Sequence, residues 1–356
     1  MPALSPPARV LVTGASGFIG AHVAREYLRR GYSVLGSVRD ASKGEYLSKM
    51  FNEDFPGKFS YVVVQDIEAF GAFDVAVRNV DAVAHVASPC YHPTGHVDPD
   101  DLIGPAVTGT TNLLKSASHF GTNIMRIVIT SSNATMLEPH DGHYEYTNKD
   151  WCMHAVSQVN AKGRGASGVD KYIASKVLAE RGALKWMDEN KYNVRFDITH
   201  ILPSWVYGPP IHDVKSPEQL NVSVRRIYDC FVKGLPEEQL KEASGWFVDV
   251  RDVARAHADA HEREDLGSKR LVVSRPENPA WQDIYDAYWS AAATRRPRLP
   301  FEAPRGVPGI VPDEVRKNFA THATDEDTYG WKFRNLSTTI VDTLEGISAK
   351  GLFKNL

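Results

Sequence analysis

Residues 172–176 read YIASK, which sets a tyrosine and a lysine four positions apart. On a helix that spacing puts both side chains on one face, so the Lys176 ammonium can lie beside the Tyr172 phenol. A neighbouring cation favours the phenolate and draws the acid down from its ordinary value of roughly 10 toward one suited to proton transfer near neutral pH. The same pair also arises by chance on helix surfaces. What separates a proton donor from a surface pair is the set of elements around it.

Those elements alternate. Continuously apolar, β-rich runs occur at RVLVT (9–13), YSVLGS (32–37), FSYVVVQ (59–65), DAVAHVA (81–87), RIVIT (126–130) and FDITHIL (196–202). Such runs suit parallel strands covered on both faces. Helical stretches such as FIGAHVAREYLRR and PAVTGTTNLLKSASHF lie between them. The repeating βα order predicts an α/β fold, with a Rossmann-type doubly wound parallel sheet over residues 1–202. Beyond Leu202 proline and aromatic residues become frequent, and short helices are predicted at 222–233, 249–263, 279–291 and 336–349. Residues 203–356 therefore read as a smaller, mainly helical substrate-binding lobe, with 246–275 packing back on the first domain and RLVVSR (270–275) able to return a strand to it.

The first strand runs directly into TGASGFIG, where Gly14, Gly17 and Gly20 are three apart and Ser16, Phe18 and Ile19 complete the loop. Glycine allows the tight turn and a close backbone approach to pyrophosphate, and the helix opening near Phe18 offers N–H groups and a favourable dipole. The strand–loop–helix context makes this a dinucleotide site. At the end of the second strand an NAD site usually carries an acid for the ribose hydroxyls, but here the chain reads GSVRDASK, with Val38 in that place and Arg39 next. A planar guanidinium suits a 2′-phosphate, and Lys43 one turn on adds charge. NADPH is the expected cofactor, and Asp40 is assigned to capping the following helix. Asp66 and Ile67 after the third strand are placed to meet the adenine. Ala87, Ser88 and Pro89 after the fourth, and Thr130 at the end of the fifth, lie at the carboxyl edge where open α/β sheets bind ligands.

The ordered set TGASGFIG, Arg39, Asp66-Ile67, PAVTGT, TSS, YIASK and LPSWVYGP resembles the extended short-chain dehydrogenase/reductases. Within them it is most similar to the group of dihydroflavonol and cinnamoyl-CoA reductases and fungal NADPH-dependent aldehyde, methylglyoxal and ketone reductases, and FVDVRDVARAH (247–257) matches that group too. The resemblance implies Tyr172 as general acid, Ser132 as the hydroxyl that hydrogen-bonds the substrate carbonyl, and Lys176 as the residue that binds the nicotinamide ribose and tunes the phenol. Ser131 is a structural neighbour of Ser132 or exchanges roles with it. Pro203 and Val206 match positions that hold the nicotinamide. Ser88, Pro89, Tyr91, Asn133, Trp205 and Tyr207 are the expected substrate contacts, with Trp246 a further aromatic near the cleft. The chain departs from the pattern twice. NAKGRGASG (160–168) has the composition of a mobile flap, and Ala106 stands where many short-chain enzymes use asparagine to hold a proton-relay water.

Composition excludes little and agrees with the rest. Among 356 residues, 42% are hydrophobic, 24% are charged and the formal net charge is −3, so no basic surplus argues for nucleic acid. No apolar run is long enough for a bilayer, and the start MPALSPPARVLV lacks a secretory pattern. Cys90, Cys152 and Cys230 are scattered, which fits neither a disulfide framework nor a zinc site and suggests a reducing, cytoplasmic setting. The histidine pairs at 92 and 96, 140 and 143, and 257 and 261 lack supporting acids or cysteines, so no metal is expected. The reading is an NADPH-dependent carbonyl reductase acting on a small substrate as a monomer or homodimer. Its rivals are a sugar-nucleotide epimerase or dehydratase and a non-catalytic NADPH-sensing regulator.

Overall fold

A computed structural model describes residues 3–88, 98–141, 144–316 and 321–354, and in it the six apolar runs form strands. In chain order the elements are β1 (Arg9–Thr13), α1 (Phe18–Arg29), β2 (Ser33–Val38), α2 (Ala41–Asp54), β3 (Phe59–Val63), β4 (Ala82–His85), α3 (Asp100–Phe120), β5 (Arg126–Thr130), β6 (Glu145–Tyr146), α4 (Met153–Lys162), α5 (Gly168–Asn190) and β7 (Asp197–Pro203). They continue as β8 (Trp205–Tyr207), α6 (Val222–Lys233), α7 (Glu237–Leu240), β9 (Phe247–Asp249), α8 (Val250–Glu262), β10 (Arg270–Val273), α9 (Trp281–Ser290), α10 (Asp313–Arg316), β11 (Thr321–His322), α11 (Glu326–Tyr329) and α12 (Leu336–Ala349).

Seven strands form one sheet in the order β10-β7-β5-β4-β1-β2-β3. The pairs β1–β2, β2–β3, β1–β4, β4–β5 and β5–β7 are all parallel. Chain order reverses at β1, between β2 and β4, which is where an open α/β sheet leaves a crevice at its carboxyl edge. Val10, Leu11 and Val12 are fully buried, as a central strand with helices on both faces requires. One face packs Leu11, Val83 and Ile127 against Leu113 and Leu114 of α3. RLVVSR supplies β10 at the far edge of this sheet, as its apolar pattern suggested.

The chain divides into two compact units, the first comprising Met1–Pro139, Asn148–Leu202 and Ala254–Leu271 and the second His140–Thr147, Pro203–Val253 and Val272–Leu356. Residues 140–147, read from sequence with the first domain, thus group with the second, because Glu145 and Tyr146 form β6 paired to β11. Of 246–275, only 254–271 groups with the first unit. That return is anchored by polar contacts: Arg126 on β5 pairs with Asp197 at 2.6 Å and donates to the carbonyls of Ala260 and Arg263. Tyr27 of α1 bonds His261 Nδ1 and the His257 carbonyl on α8.

In the second unit β8 pairs in parallel with β9. Aromatic contacts join its elements, Phe231 of α6 against Tyr285 of α9 at 5.5 Å and Tyr228 of α6 stacked on Phe353, in the turn after α12, at 5.4 Å. The NAKGRGASG segment is built of two helix ends and a turn. Lys162 ends α4, Gly163–Gly165 make a 3-10 turn, and Ser167 caps α5 by accepting from Asp170 N at 2.9 Å. The buried Lys171 Nζ holds that turn by donating to the Arg164 carbonyl at 2.7 Å. Among the described residues no helix is long and apolar enough to cross a membrane.

Arg126 is nearly fully buried, so removing its carboxylate partner strands a charge away from water. Asp197→Ala is expected to lower the unfolding free energy by about 3 kcal/mol, measured by urea denaturation, with the larger loss in the unit that holds the sheet. A change below about 0.5 kcal/mol would show the pair to be dispensable.

Candidate active site

Thr13 closes β1 and organises the carboxyl edge. Its hydroxyl oxygen accepts from both Val86 N and Ala87 N at 3.0 Å, so its single proton goes to His85 Nδ1 at 2.8 Å. His85 is therefore an Nδ1 acceptor with its proton on Nε2. Burial pushes its pKa down to about 3, and the nearby Lys176 ammonium adds to the depression. These bonds hold the turn after β4 tightly against the glycine loop. Gly14 sits at φ +64°, and a Cβ there would lie 2.9 Å from Ala87 Cα, so both its conformation and its neighbour require glycine. Gly20 is equally constrained, since a Cβ would run into the Gly14 carbonyl. The loop is also tied to β2, Gly14 N donating to Ser37 Oγ at 3.3 Å and Ala15 N to the Ser37 carbonyl at 3.0 Å.

Helix α1 opens with Gly17 at its cap and no capping side chain, whereas Asp40 caps α2 by accepting from Ser42 N at 2.7 Å. Ser16 and Ile19 are half-buried and Phe18 is buried in the same loop. Arg39 is exposed at the end of β2 with no ion-pair partner among the described residues, and Lys43 is half-buried one turn along. The Asp66–Ile67 turn is fixed from α3: Asn112 Nδ2 donates to the Ile67, Glu68 and Ala69 carbonyls at 3.2, 2.9 and 3.2 Å. A loop with these contacts, a glycine cradle closed by Ala87 and a bare helix start, fits a dinucleotide pyrophosphate.

On the other side of the edge, α5 presents Tyr172 half-buried and Lys176 buried one turn later. Lys176 Nζ donates to Ser88 Oγ at 2.9 Å, so the helix and the turn after β4 meet at this ammonium. Tyr172 and Ala134, the latter in the 3-10 turn Asn133–Met136 that Ser132 caps, pack against the same buried apolar cluster. The two serines differ in their bonds. Ser131 Oγ donates to Glu180 Oε2 at 2.6 Å, whereas Ser132 Oγ accepts from Ala134 N at 3.2 Å and has no acceptor for its own proton among the described residues. Asn133 is buried in the turn. Thr130 bonds His257 Nε2 through its hydroxyl at 2.8 Å, which directs that side chain to α8.

The remaining expected contacts lie in the second unit or outside the described residues. Pro203 ends β7. Val206 and Tyr207 are buried in β8, and Trp205 beside them is partly exposed. Arg226 of α6 stacks 3.9 Å from the Trp205 ring and donates to Tyr207 OH at 3.3 Å, fixing both aromatics within that unit. Pro89 and Tyr91 lie outside the described residues, as do Cys90, His92, His96 and His143. Cys152 and Cys230 are buried, which pushes their thiols up to about 11 and about 12. Among the described residues no three His, Cys, Asp or Glu gather into a metal site.

Residues 10–273 match the family described as the NAD dependent epimerase/dehydratase family. The chain belongs to this family. It is 32% identical to the NADPH-dependent methylglyoxal reductase of Saccharomyces cerevisiae, over 95% of this chain and 97% of that one. It is 33% identical to a ketoreductase of Aspergillus niger, over 94% and 96%. The NADPH complex of Gre2 from Candida albicans superposes with a TM-score of 0.83 at 32% identity, covering 97% of this chain and 99% of that one.

Against that family frame, the sequence reading missed the polar groups that hold the site. Thr13, His85, Asn112 and Glu180 touch the loops and helix that carry the named residues. Glu180 alone left a signal, its place eight residues after Tyr172 on the same helical face. Because folding keeps His85 neutral, it contributes stability above the ordinary histidine value near 6.5 and loses it progressively as pH falls toward 3. The stability advantage of the native protein over His85→Asn should therefore shrink by about 2 kcal/mol between pH 7 and pH 5 in denaturant titrations. A pH-independent difference would mean that His85 titrates in the fold as it does in the unfolded chain.

Proposed function

We propose that the chain is an NADPH-dependent carbonyl reductase that converts an aldehyde or ketone to an alcohol at Tyr172. The observation that carries this reading is the buried Lys176, on the face of α5 that bears Tyr172 and bonded to Ser88 at the carboxyl edge of β4. The names of the yeast methylglyoxal reductase and the Aspergillus ketoreductase support the same chemistry.

The glycine loop and the start of α1 would hold the pyrophosphate, Asp66 and Ile67 the adenine side, and Arg39 with Lys43 the 2′-phosphate. Pro203 and Val206 would hold the nicotinamide. When bound, NADPH supplies the hydride that the carbonyl carbon accepts. Everything else falls to side chains of the chain itself. Ser132 donates its uncommitted proton as a hydrogen bond to the carbonyl oxygen, polarising it before the phenol of Tyr172 delivers the proton that completes the alcohol. Ser131 cannot share the task while its proton is given to Glu180. Lys176 would hold a positive charge one helical turn from the phenol, which favours proton release, and its bond to Ser88 supports a role for it toward the nicotinamide ribose. Ser88, Pro89, Tyr91, Asn133, Trp205 and Tyr207 would line the substrate site. The scattered cysteines and near-neutral charge suit a cytoplasmic enzyme, working as a monomer or homodimer on a small carbonyl compound.

NADPH absorbance followed across aldehydes, diketones, β-ketoesters and flavonoid-like ketones tests the activity and ranks the substrates. Tyr172→Phe should lower kcat on the order of 10²-fold or more while NADPH still binds, because only the acidic hydroxyl is lost. Lys176→Ala should lose both rate and cofactor affinity. A folded Tyr172→Phe protein working at the native rate would sink the assignment.

Cofactor choice is tested separately. The Arg39 contact to a phosphate is of the charge-assisted kind, worth roughly 1.5 to 3 kcal/mol, so Arg39→Ala should raise KM for NADPH about tenfold or more and leave NADH use nearly unchanged. Equal effects on the two cofactors would remove the argument.

A further inference from the structure

Tyr172, Lys176 and Glu180 follow one another at four-residue spacing on α5, so the face that carries the proton donor continues into a carboxylate. Glu180 is only 2% exposed, and each of its oxygens has a short partner. Oε2 accepts from Ser131 Oγ at 2.6 Å and Oε1 from Arg270 Nε at 2.6 Å. Arg270 goes on to donate through Nη2 to Thr135 Oγ1 at 3.0 Å, and Thr135 Oγ1 donates to the Ser132 carbonyl at 2.8 Å. The bonds close a ring, Ser131–Glu180–Arg270–Thr135–Ser132, that encloses the catalytic serine from both sides in the chain.

Arg270 is held as firmly as its partner. Its Nη1 donates to the carbonyls of Asn148 and Asp150, and its guanidinium lies 3.8 Å over the Trp151 ring. The other titratable group facing the carboxylate is His200 of β7, 3.9 Å from Glu180 Oε1, whose burial lowers its pKa. A buried ion pair with four of the five guanidinium N–H groups directed contributes definition more than stability, because desolvation offsets much of its attraction.

We infer that Glu180 and Arg270 are positioning residues for the reduction: they set the register of the Tyr172 helix against the Ser132 segment, so that the two hydroxyls converge on one carbonyl oxygen. The inference rests on the roles proposed above for Tyr172 and Ser132. It assigns Ser131 a task as well, as the link through which Glu180 reaches its neighbour. A misplacement of about 1 Å between groups that act together costs on the order of 10²-fold in rate, while the glycine loop that binds the cofactor lies outside the ring.

The test compares Glu180→Gln, Ser131→Ala, the double variant and Tyr172→Phe in the full chain. It measures kcat and KM for the best carbonyl substrate, and the NADPH dissociation constant by fluorescence titration. Each single variant should lose about tenfold or more in kcat and keep the NADPH constant within about twofold, and the double should be no worse than the worse single, because both break one link. If Glu180→Gln does not fold, Ser131→Ala, which removes one hydroxyl and leaves the ion pair, decides the matter alone. Native kcat in the folded single variants, losses that multiply in the double, or a loss confined to NADPH affinity would each overturn the inference. Tyr172→Phe separates the layers: at the native rate it removes the underlying reading, whereas an inactive Tyr172→Phe beside a fully active Ser131→Ala removes only the positioning role.

Discussion

The site depends on how closely two backbones approach at the point where the sheet reverses its order. Gly14 after β1 and Ala87 after β4 are too near for any side chain between them, and the left-handed conformation of Gly14 turns the chain there into α1. Thr13 enforces the approach by accepting two N–H groups from the neighbouring turn with one oxygen. A hydroxyl that spends both lone pairs must place its proton somewhere, and His85 takes it. The tautomer of a buried histidine, the shape of the glycine loop and the location of Ser88 thus all depend on one strand ending in threonine rather than valine.

Helix α5 carries that order across the edge. Three polar residues at successive turns meet three different environments. Tyr172 is half-buried beside the serine turn, Lys176 is buried against Ser88, and Glu180 is sealed between Ser131 and Arg270. Each residue farther along is more deeply enclosed, so the phenol is the accessible group of the three and the carboxylate the locked one. The N-terminus of the helix is fixed independently, by the Ser167 cap and by Lys171 reaching back to the Arg164 carbonyl.

Much of this was legible from residue types. Continuously apolar runs announced the parallel strands, glycines between a strand and a helix announced the tight turn into α1, and YIASK announced a shared helical face, because all three depend on local geometry with fixed periods. The local structure of 160–168 was not legible, because glycine and lysine content speaks to loops in general, whereas Ser167 and Lys171 use the segment as a cap and a tether. The grouping of 140–147 with the second unit was equally invisible, since it follows from a two-residue pairing between Glu145–Tyr146 and Thr321–His322 that no local pattern encodes.

The two serines show where sequence reading stops and why. Side by side in TSS they have the same chemistry, and only the direction of a strand ending decides which meets α5 and which caps the following turn. Ser131 donates its hydrogen bond to a buried carboxylate, and Ser132 begins a 3-10 turn in which its oxygen accepts from Ala134 N and its proton finds no acceptor among the described residues. The difference comes from Glu180, forty-nine positions away, and from Arg270, which keeps that carboxylate in place. A role that looks like a property of one serine is set by the hydrogen-bond acceptor its neighbour finds, and the residues that supply it lie on two other elements of the same unit.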